Sequence, residues 1–524
     1  MYLNTALVHI VSKYLSSNML VFLHNPLWLI VVLCGAVLLY LVVQPWFSPQ
    51  RHLPGPFLAR ITRLWLFKKV YHGTFPTTNI ELHRKYGTCD PDACLGPIVR
   101  IAPNEYSIDD LSAAKTIYGS GKGFRKSSWY EGSGNPFGPR ASMFVESDPH
   151  LHATFRRKIA AAYSMTNLVR LESFVDKCTE ILGLRLDEFA KAGIRIDVSH
   201  WMQCYAFDVG ERFGFLDMGE DIQGIMSSLT DYLLYCARVG IFPEWHRTLF
   251  RRQMKSSKLA GLAHIRKFAE SQLEHKYNQT STKGESDSSM PIDMITKFLR
   301  IHDQDPSKIN KDEILSVGMM NVGAGSDTTS ISLSSVLFNL IKYPQTLERL
   351  RLEIKEHESD DSISDPIRFS EAHNLPYLQA VLKEALRMHP ATGLILGRVV
   401  PPGGTTLAGQ YFDSGTVVGI NSWVAHANQD VYGADANIFR PERWLEDSEL
   451  VKRRESYFMT FGQGSRTCIG KNISMMEMSK VIPQIVRHYD LLPQTASGNP
   501  EWNTENVWFV KTRDFYCKVR KVSS

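Results

Sequence analysis

The sequence predicts a mostly α-helical protein with small β-sheets (α+β), carried behind one N-terminal transmembrane helix. Three observations point there. Apolar residues recur at helical spacing over long stretches, from Leu168 to Gln272 and from Ile314 to Ile341. Strand-type runs are short and flank turn signals, as in Ile98–Ala102 and Glu105–Ile108 around Pro103-Asn104. No Lys, Arg, Asp or Glu occurs between Lys13 and Arg51.

With 524 residues and 44% hydrophobic content the chain can bury a large core. Its formal charge is only +5, from 59 basic and 54 acidic residues, so the global balance does not argue for nucleic acid. Eight cysteines without framework spacing suggest a reducing compartment. Cys89 and Cys94 could form half a zinc site, but no second pair matches them, and a surface loop is the better reading.

Taken in order, residues 1–26 read as a lumenal or interfacial segment and 27–47 as the membrane span. The span is close to the ~20 apolar residues a crossing helix needs, with Trp28, Tyr40 and Trp46 near its ends. A cleaved signal peptide would need a small-residue cleavage site, which is missing. Arg51, Arg60, Arg63, Lys68 and Lys69 follow the span and only Lys13 precedes it, so the body, 61–524, is expected in the cytosol. Residues 48–60, with Leu53-Pro-Gly-Pro56, read as a stiff hinge.

Gly119 to Arg140, rich in Gly, Ser and aromatics, reads as a long loop. His152 and Arg156 are i,i+4 neighbours at the start of a helix and share a face with a basic run, Arg157-Lys158. Tyr232 to Trp245 is apolar enough to form a lid or to dip into a bilayer surface. Gln279 to Ser289 reads as a disordered-type linker.

Pro306 and Pro344 bracket a long helix whose middle, Gly323-Ala-Gly325-Ser-Asp327-Thr328-Thr329, is poor in helix formers and predicts a locally opened turn. Further on, Glu384 and Arg387 share a helix face. Gly397–Val400 and Thr416–Ile420 read as strands around the turn Pro401–Gly404. Near the end, Phe461-Gly-Gln-Gly464-Ser-Arg466-Thr-Cys468-Ile-Gly470 presents one cysteine just before a helical run from Lys471 to Val481. A helix start favours thiolate, so Cys468 suits iron ligation. Gly464 and Gly470 would let the backbone pass a flat cofactor, Phe461 would shield the sulfur, and Arg466 could reach a carboxylate.

The pattern Phe-x-x-Gly-x-Arg-x-Cys-x-Gly resembles the haem-binding signature of the cytochrome P450 superfamily, in its membrane-anchored microsomal type. The resemblance spans roughly Leu53 to Val519 and implies one helical catalytic domain with the cytochrome P450 fold. It implies haem b with Cys468 as axial ligand to iron, and His152, Arg156, Arg398 and Arg466 as partners of the propionates. Asp327 and Thr328 resemble an acid-alcohol pair that relays the two protons dioxygen needs before its O–O bond breaks, with Ala324 and Gly325 leaving room for oxygen. Glu384, Arg387 and, from Phe439-Arg-Pro-Glu-Arg443-Trp444, Arg443 resemble a buried network that holds the cysteine loop. Thr392–Leu396 and Val507–Val510 resemble substrate-contacting segments. The implied activity is insertion of one oxygen atom from O2 into an apolar small molecule, with electrons from NADPH through NADPH-cytochrome P450 reductase and possible help from cytochrome b5, at the endoplasmic reticulum membrane. Arg156, Arg157, Lys158 and Lys471 would form the docking face. A haem-thiolate isomerase or dehydratase without a reductase, or a haem sensor, are the alternatives. Glu146-Ser-Asp-Pro, Tyr163-Ser-Met-Thr and the run from Gly325 to Leu333 are similar to pisatin-demethylase-like enzymes of filamentous fungi, which suggests secondary metabolism or detoxification.

Overall fold

Asn310 starts the long central helix with a reciprocal cap: its side chain accepts from Glu313 N, and the Glu313 carboxylate accepts from Asn310 N, each at 2.9 Å. In the computed structural model this helix runs as Lys311–Met320, a π-turn over Asn321–Gly325, and Ser326–Lys342. The opened turn falls on the two glycines, where a π-bulge is least costly. The described residues are 49–86, 97–137, 142–210, 213–255, 260–282, 292–495, 498–499 and 501–522, with isolated positions 30, 32, 35 and 43. The expected span 27–47 and the Cys89/Cys94 pair lie otherwise outside them, and no helix among the described residues is long and apolar enough to cross a membrane.

The elements used below are, in chain order, α1 (Phe57–Ile61), α2 (Leu64–Tyr71), β1 (Ile98–Ala102), β2 (Glu105–Ile108), β3 (Arg125–Lys126), α3 (Pro149–Ile159), α4 (Glu172–Ala192), β4 (Arg195–Asp197), α5 (Val198–Gly210), α6 (Ile225–Val239), α7 (Ala260–Thr282), α8 (Lys311–Met320), α9 (Ser326–Lys342), α10 (Pro376–Met388), β5 (Arg398–Val399), β6 (Thr405–Leu407), β7 (Gln410–Phe412), β8 (Val417–Gly419), α11 (Lys471–His488), β9 (Tyr489–Pro493), β10 (Asn503–Asn506), β11 (Val510–Arg513) and β12 (Tyr516–Lys521). The main core lies between the helices, with α9 buried on every side from Thr329 to Leu340. A second core fills one face of the five-stranded sheet β1-β2-β8-β5-β3.

β1 and β2 form the expected antiparallel hairpin, Ile98 opposite Ile108. β5 and β8 pair antiparallel, but the segment between them is more than a turn, since it folds into the separate hairpin β6–β7. The Gly119–Arg140 loop contributes β3 and a 3-10 turn, Ser128–Ser133. Neither was legible as strand or helix because two residues of ladder carry no periodicity. Gln279–Thr282, expected in a linker, extend α7 instead. The proline-rich segment is tied to the body: Pro54 O accepts from Arg100 N at 2.8 Å and Gln50 O from the Arg100 guanidinium at 2.7 Å.

Candidate active site

The loop before α11 folds back on itself, Cys468 N donating to Phe461 O at 2.8 Å, and delivers the sulfur to the first turn of that helix. Cys468 is deep in the fold yet solvent-accessible, the mark of a sulfur that lines a cavity. The helix start alone does not make it a thiolate. Burial pushes the thiol above its ordinary range, and the opposing pull of the Gly470 N–H, the Arg156 charge and the Lys471 N–H is smaller. A cation bound to the sulfur is what would tip the balance.

Away from its ends, the central helix opens most towards solvent at the π-turn and the residues just after it. Ala324 is exposed although it sits between α8 and α9, a Cβ added to Gly325 would meet nothing within 4 Å, and Thr328 is the only residue from Ser326 to Leu340 that is not buried. The Thr328 hydroxyl donates to Ala324 O at 2.7 Å. Asp327, next to it, points the other way and is fully buried, accepting from Gln203 Nε2 at 2.6 Å and facing Lys511 Nζ at 2.8 Å.

Cations converge beside the sulfur. His152 on α3 is held neutral, its pKa lowered to about 3 by burial and by the charges of Arg466, Lys126, Arg156 and Arg398. Burial and Arg398 lower Arg466 to about 10, and burial with Arg466 and Arg398 pushes Lys126 far below the lysine range. Their hydrogen bonds go to neutral oxygens: Arg466 to Glu146 O and Ser147 O at 2.7 and 2.9 Å, Arg398 to Gly397 O at 2.9 Å and Tyr130 Oη at 3.2 Å, and Lys126 to Phe144 O. The nearby Glu146 carboxylate is engaged by Asp148 N at 2.7 Å. A half-buried group of cations without matching carboxylates fits an anionic partner, and the two propionates of a haem have that chemistry.

On the far side of α10 from the cavity, Glu384 is fully buried between two guanidiniums. Arg387 NH2 and Arg443 Nε donate to its Oε1 at 2.7 and 2.8 Å, Arg387 Nε and Trp444 Nε1 to its Oε2 at 2.9 Å each, and Arg440 N to Oε1 at 3.1 Å. Arg387 reaches on to His426 O, and His426 Nε2 accepts from Met459 N at 2.8 Å, two residues before Phe461. The network therefore reaches the cysteine loop through His426, its carbonyl on one side and its imidazole on the other.

The chain matches the model of the cytochrome P450 family over residues 58–518. It is 37% identical to a pisatin demethylase of Fusarium vanettenii over 480 residues, 90% of this chain and 91% of that protein. It is 35% identical to the cytochrome P450 monooxygenase cicH of Emericella nidulans over 486 residues, 90% and 93% of the two chains. The chain belongs to the cytochrome P450 family. It is a haem-thiolate monooxygenase, with haem as its prosthetic group, dioxygen as co-substrate, a small-molecule substrate and a redox partner.

Three features of this P450 depart from the sequence reading. Gly464 (φ +68°) is glycine because a Cβ there would lie 1.8 Å from Tyr118 O, a matter of protein packing and not of cofactor clearance, whereas a Cβ at Gly470 would meet nothing nearer than 3.7 Å in the chain. Lys158 is exposed but paired with Glu313 at 2.7 Å, whereas Arg157 and Lys471, also exposed, make no ion pair with a carboxylate among the described residues. Sequence reasoning missed Lys126, and also Tyr163, whose hydroxyl donates to Asn321 Oδ1 in the π-turn at 2.5 Å while its carbonyl accepts from Asn472 Nδ2 at 3.1 Å. That chain of bonds links the cysteine helix to the opened turn, and Tyr163 O is a backbone atom that no motif could reveal.

Proposed function

We propose that Cys468 holds the haem iron, with His152, Arg156, Arg398 and Arg466 around the propionates, Phe461 and Gly470 beside the ring, and Thr328 and Asp327 supplying protons. The observation that carries this reading is the accessible Cys468 sulfur beside cations that lack carboxylate partners among the described residues, in a fold whose central helix is opened at the Ala324–Thr328 turn. Bound there, haem would supply reductive activation of dioxygen, and thiolate ligation favours O–O cleavage. The chain's own part is to hold the ligand sulfur, to neutralise two carboxylates, and to present a hydroxyl and a carboxylate on adjacent residues of α9. The overall reaction is RH + O2 + NADPH + H⁺ → ROH + H2O + NADP⁺, and an aryl methyl ether oxidised on its methyl carbon would collapse to a phenol and formaldehyde.

The substrate is proposed to be an apolar secondary metabolite, acted on in fungal biosynthesis or detoxification; the similarity to proteins named pisatin demethylase and cytochrome P450 monooxygenase supports this reading. Electrons are proposed to come from NADPH-cytochrome P450 reductase, with cytochrome b5 as a second donor, docking at Arg157 and Lys471. The body is proposed to sit on the cytosolic face of the endoplasmic reticulum. Exposed Phe57, Leu58, Leu64, Tyr71 and Trp245 support membrane contact, since α1–α2 and the segment before Trp245 are joined by Arg63 to Ile241 O at 2.9 Å and by Phe67 against Phe242 at 5.8 Å. The test is spectral. Reduced wild-type protein under carbon monoxide is expected to show a Soret band near about 450 nm, and purified Cys468→Ser is expected to lack it; a wild type without the band refutes the reading.

A further inference from the structure

The two oxygens of Asp327 face different parts of the chain, Oδ1 hydrogen-bonded and Oδ2 held by charge alone, with no hydrogen-bond partner among the described residues. Gln203 on α5 takes Oδ1 at 2.6 Å, and Lys511 on β11 stands 2.8 Å from Oδ2. Lys511 Nζ also donates to Thr230 Oγ1 on α6 at 2.9 Å, and that hydroxyl spends its own proton on Met226 O at 3.0 Å, so it faces Lys511 as an acceptor. α6 lies against the opened turn, its Leu229 Cδ1 3.7 Å from where a Cβ on Gly323 would stand, and it is fastened farther along: Tyr232 Oη donates to Ser133 O in the 3-10 turn, and Tyr235 Oη meets His246 Nδ1 at 2.8 Å.

One ammonium thus bridges α6 and the carboxylate beside Thr328. A buried ion pair is a poor way to gain stability, because desolvation offsets most of the attraction and an apolar pair of the same volume does as well. Asp327 is wholly buried, and the Lys511 side chain is 15% exposed. The pair is better explained by what it controls than by what it stabilises.

We propose that Lys511 is a positioning residue that sets the Asp327 carboxylate according to the place of α6. With α6 seated, Thr230 accepts a hydrogen bond from the ammonium at 2.9 Å and holds its charge 2.8 Å from Oδ2. With α6 displaced, Lys511 loses that anchor and the carboxylate loses its fixed geometry, so proton supply to the cavity is tuned to the seating of α6. The proposal rests on the reading of Asp327 and Thr328 given above.

The test uses the full-length holoenzyme reconstituted with NADPH reductase, as wild type, Lys511→Met, Lys511→Arg and Thr230→Val. The carbon monoxide band near about 450 nm reports separately on the haem site, and its absence from the wild type would sink the site reading instead of this one. Lys511→Met is expected to slow NADPH consumption about tenfold, to raise its H2O/D2O isotope effect and to send a larger share of electrons to hydrogen peroxide, with Lys511→Arg restoring most of each. Thr230→Val, which leaves the ion pair in place, is expected to move isotope effect and peroxide share in the same direction by a smaller factor, and to speed amide exchange in residues 225–239 but not in 376–388. An unchanged isotope effect in Lys511→Met overturns the proposal. So does Thr230→Val that loosens α6 and leaves the isotope effect at the wild-type value. If Lys511→Met fails to accumulate, Thr230→Val decides.

Discussion

Around Glu384, buried charges meet and cancel; around Cys468, buried charges meet and do not. In the first cluster two guanidiniums face two carboxylates, Glu384 and Asp435, and every guanidinium nitrogen of Arg387 and Arg443 has a partner among carboxylates and backbone carbonyls. In the second, burial and neighbouring cations, Arg398 among them, depress the protonation of Lys126, His152 and Arg466, and these groups with Arg156 and Arg398 bond only to neutral oxygens or not at all among the described residues. The difference separates structure from ligand site: a network complete in itself holds a shape, and one that is incomplete awaits an anion.

The largest effect should come from breaking the complete cluster. Glu384→Ala leaves Arg387 and Arg443 buried without their shared acceptor, so a loss of roughly 3–5 kcal/mol in unfolding free energy is expected, with failure to retain haem. Chemical denaturation of the cofactor-free protein measures it. A loss under about 1 kcal/mol would mean that the guanidiniums find water, and the contrast between the two clusters would lose its first half.

Removing a cation from the incomplete cluster should do the reverse. Arg398→Leu relieves repulsion with Arg466 and Lys126, so the cofactor-free protein is expected to be as stable as wild type or slightly more so. Its haem should be held less tightly by about 1.5–3 kcal/mol, the range for one charge-assisted hydrogen bond. Haem titration against the stability of the empty protein tests both halves. If Arg398→Leu destabilises the empty protein as Glu384→Ala does, Arg398 is structural.

How much of this could be read from sequence follows from distance along the chain. The Cys468 loop, the Gly323–Thr329 run and the Glu384/Arg387 pair each fit within ten residues, and their local spacing was visible. The opened turn was visible too, because two glycines and three hydroxyl residues sit mid-helix. Lys126 and Lys511 were not, since what gives each its meaning is a partner brought near by folding: Phe144 O and the rings of Tyr130 and Phe144 for one, Asp327 and Thr230 for the other. At Cys468, too, part of the balance is long-range. Helix-start stabilisation is a local rule, while burial is set by everything packed around the loop.

The smallest effect sharpens the comparison through pH. His152 in the incomplete cluster and His426 in the complete one are both lowered to about 3, His152 by burial and the surrounding cations, His426 by burial and Arg387. For each, the folded protein holds the imidazole neutral while the unfolded chain takes up a proton near 6.5. The stability this contributes is therefore complete above about pH 6.5 and is lost as pH falls from there towards about 3. An anion in the first cluster would favour the His152 imidazolium and raise its folded pKa, shrinking the acid loss there, but it would leave His426 untouched, because both ring nitrogens of His426 are engaged by backbone. In cofactor-free protein, His152→Gln is accordingly expected to flatten the fall in unfolding midpoint between pH 7 and about pH 4.5. In haem-loaded protein the same substitution is expected to flatten it less. Equal flattening in both forms would show that no negative charge arrives beside His152 when haem binds.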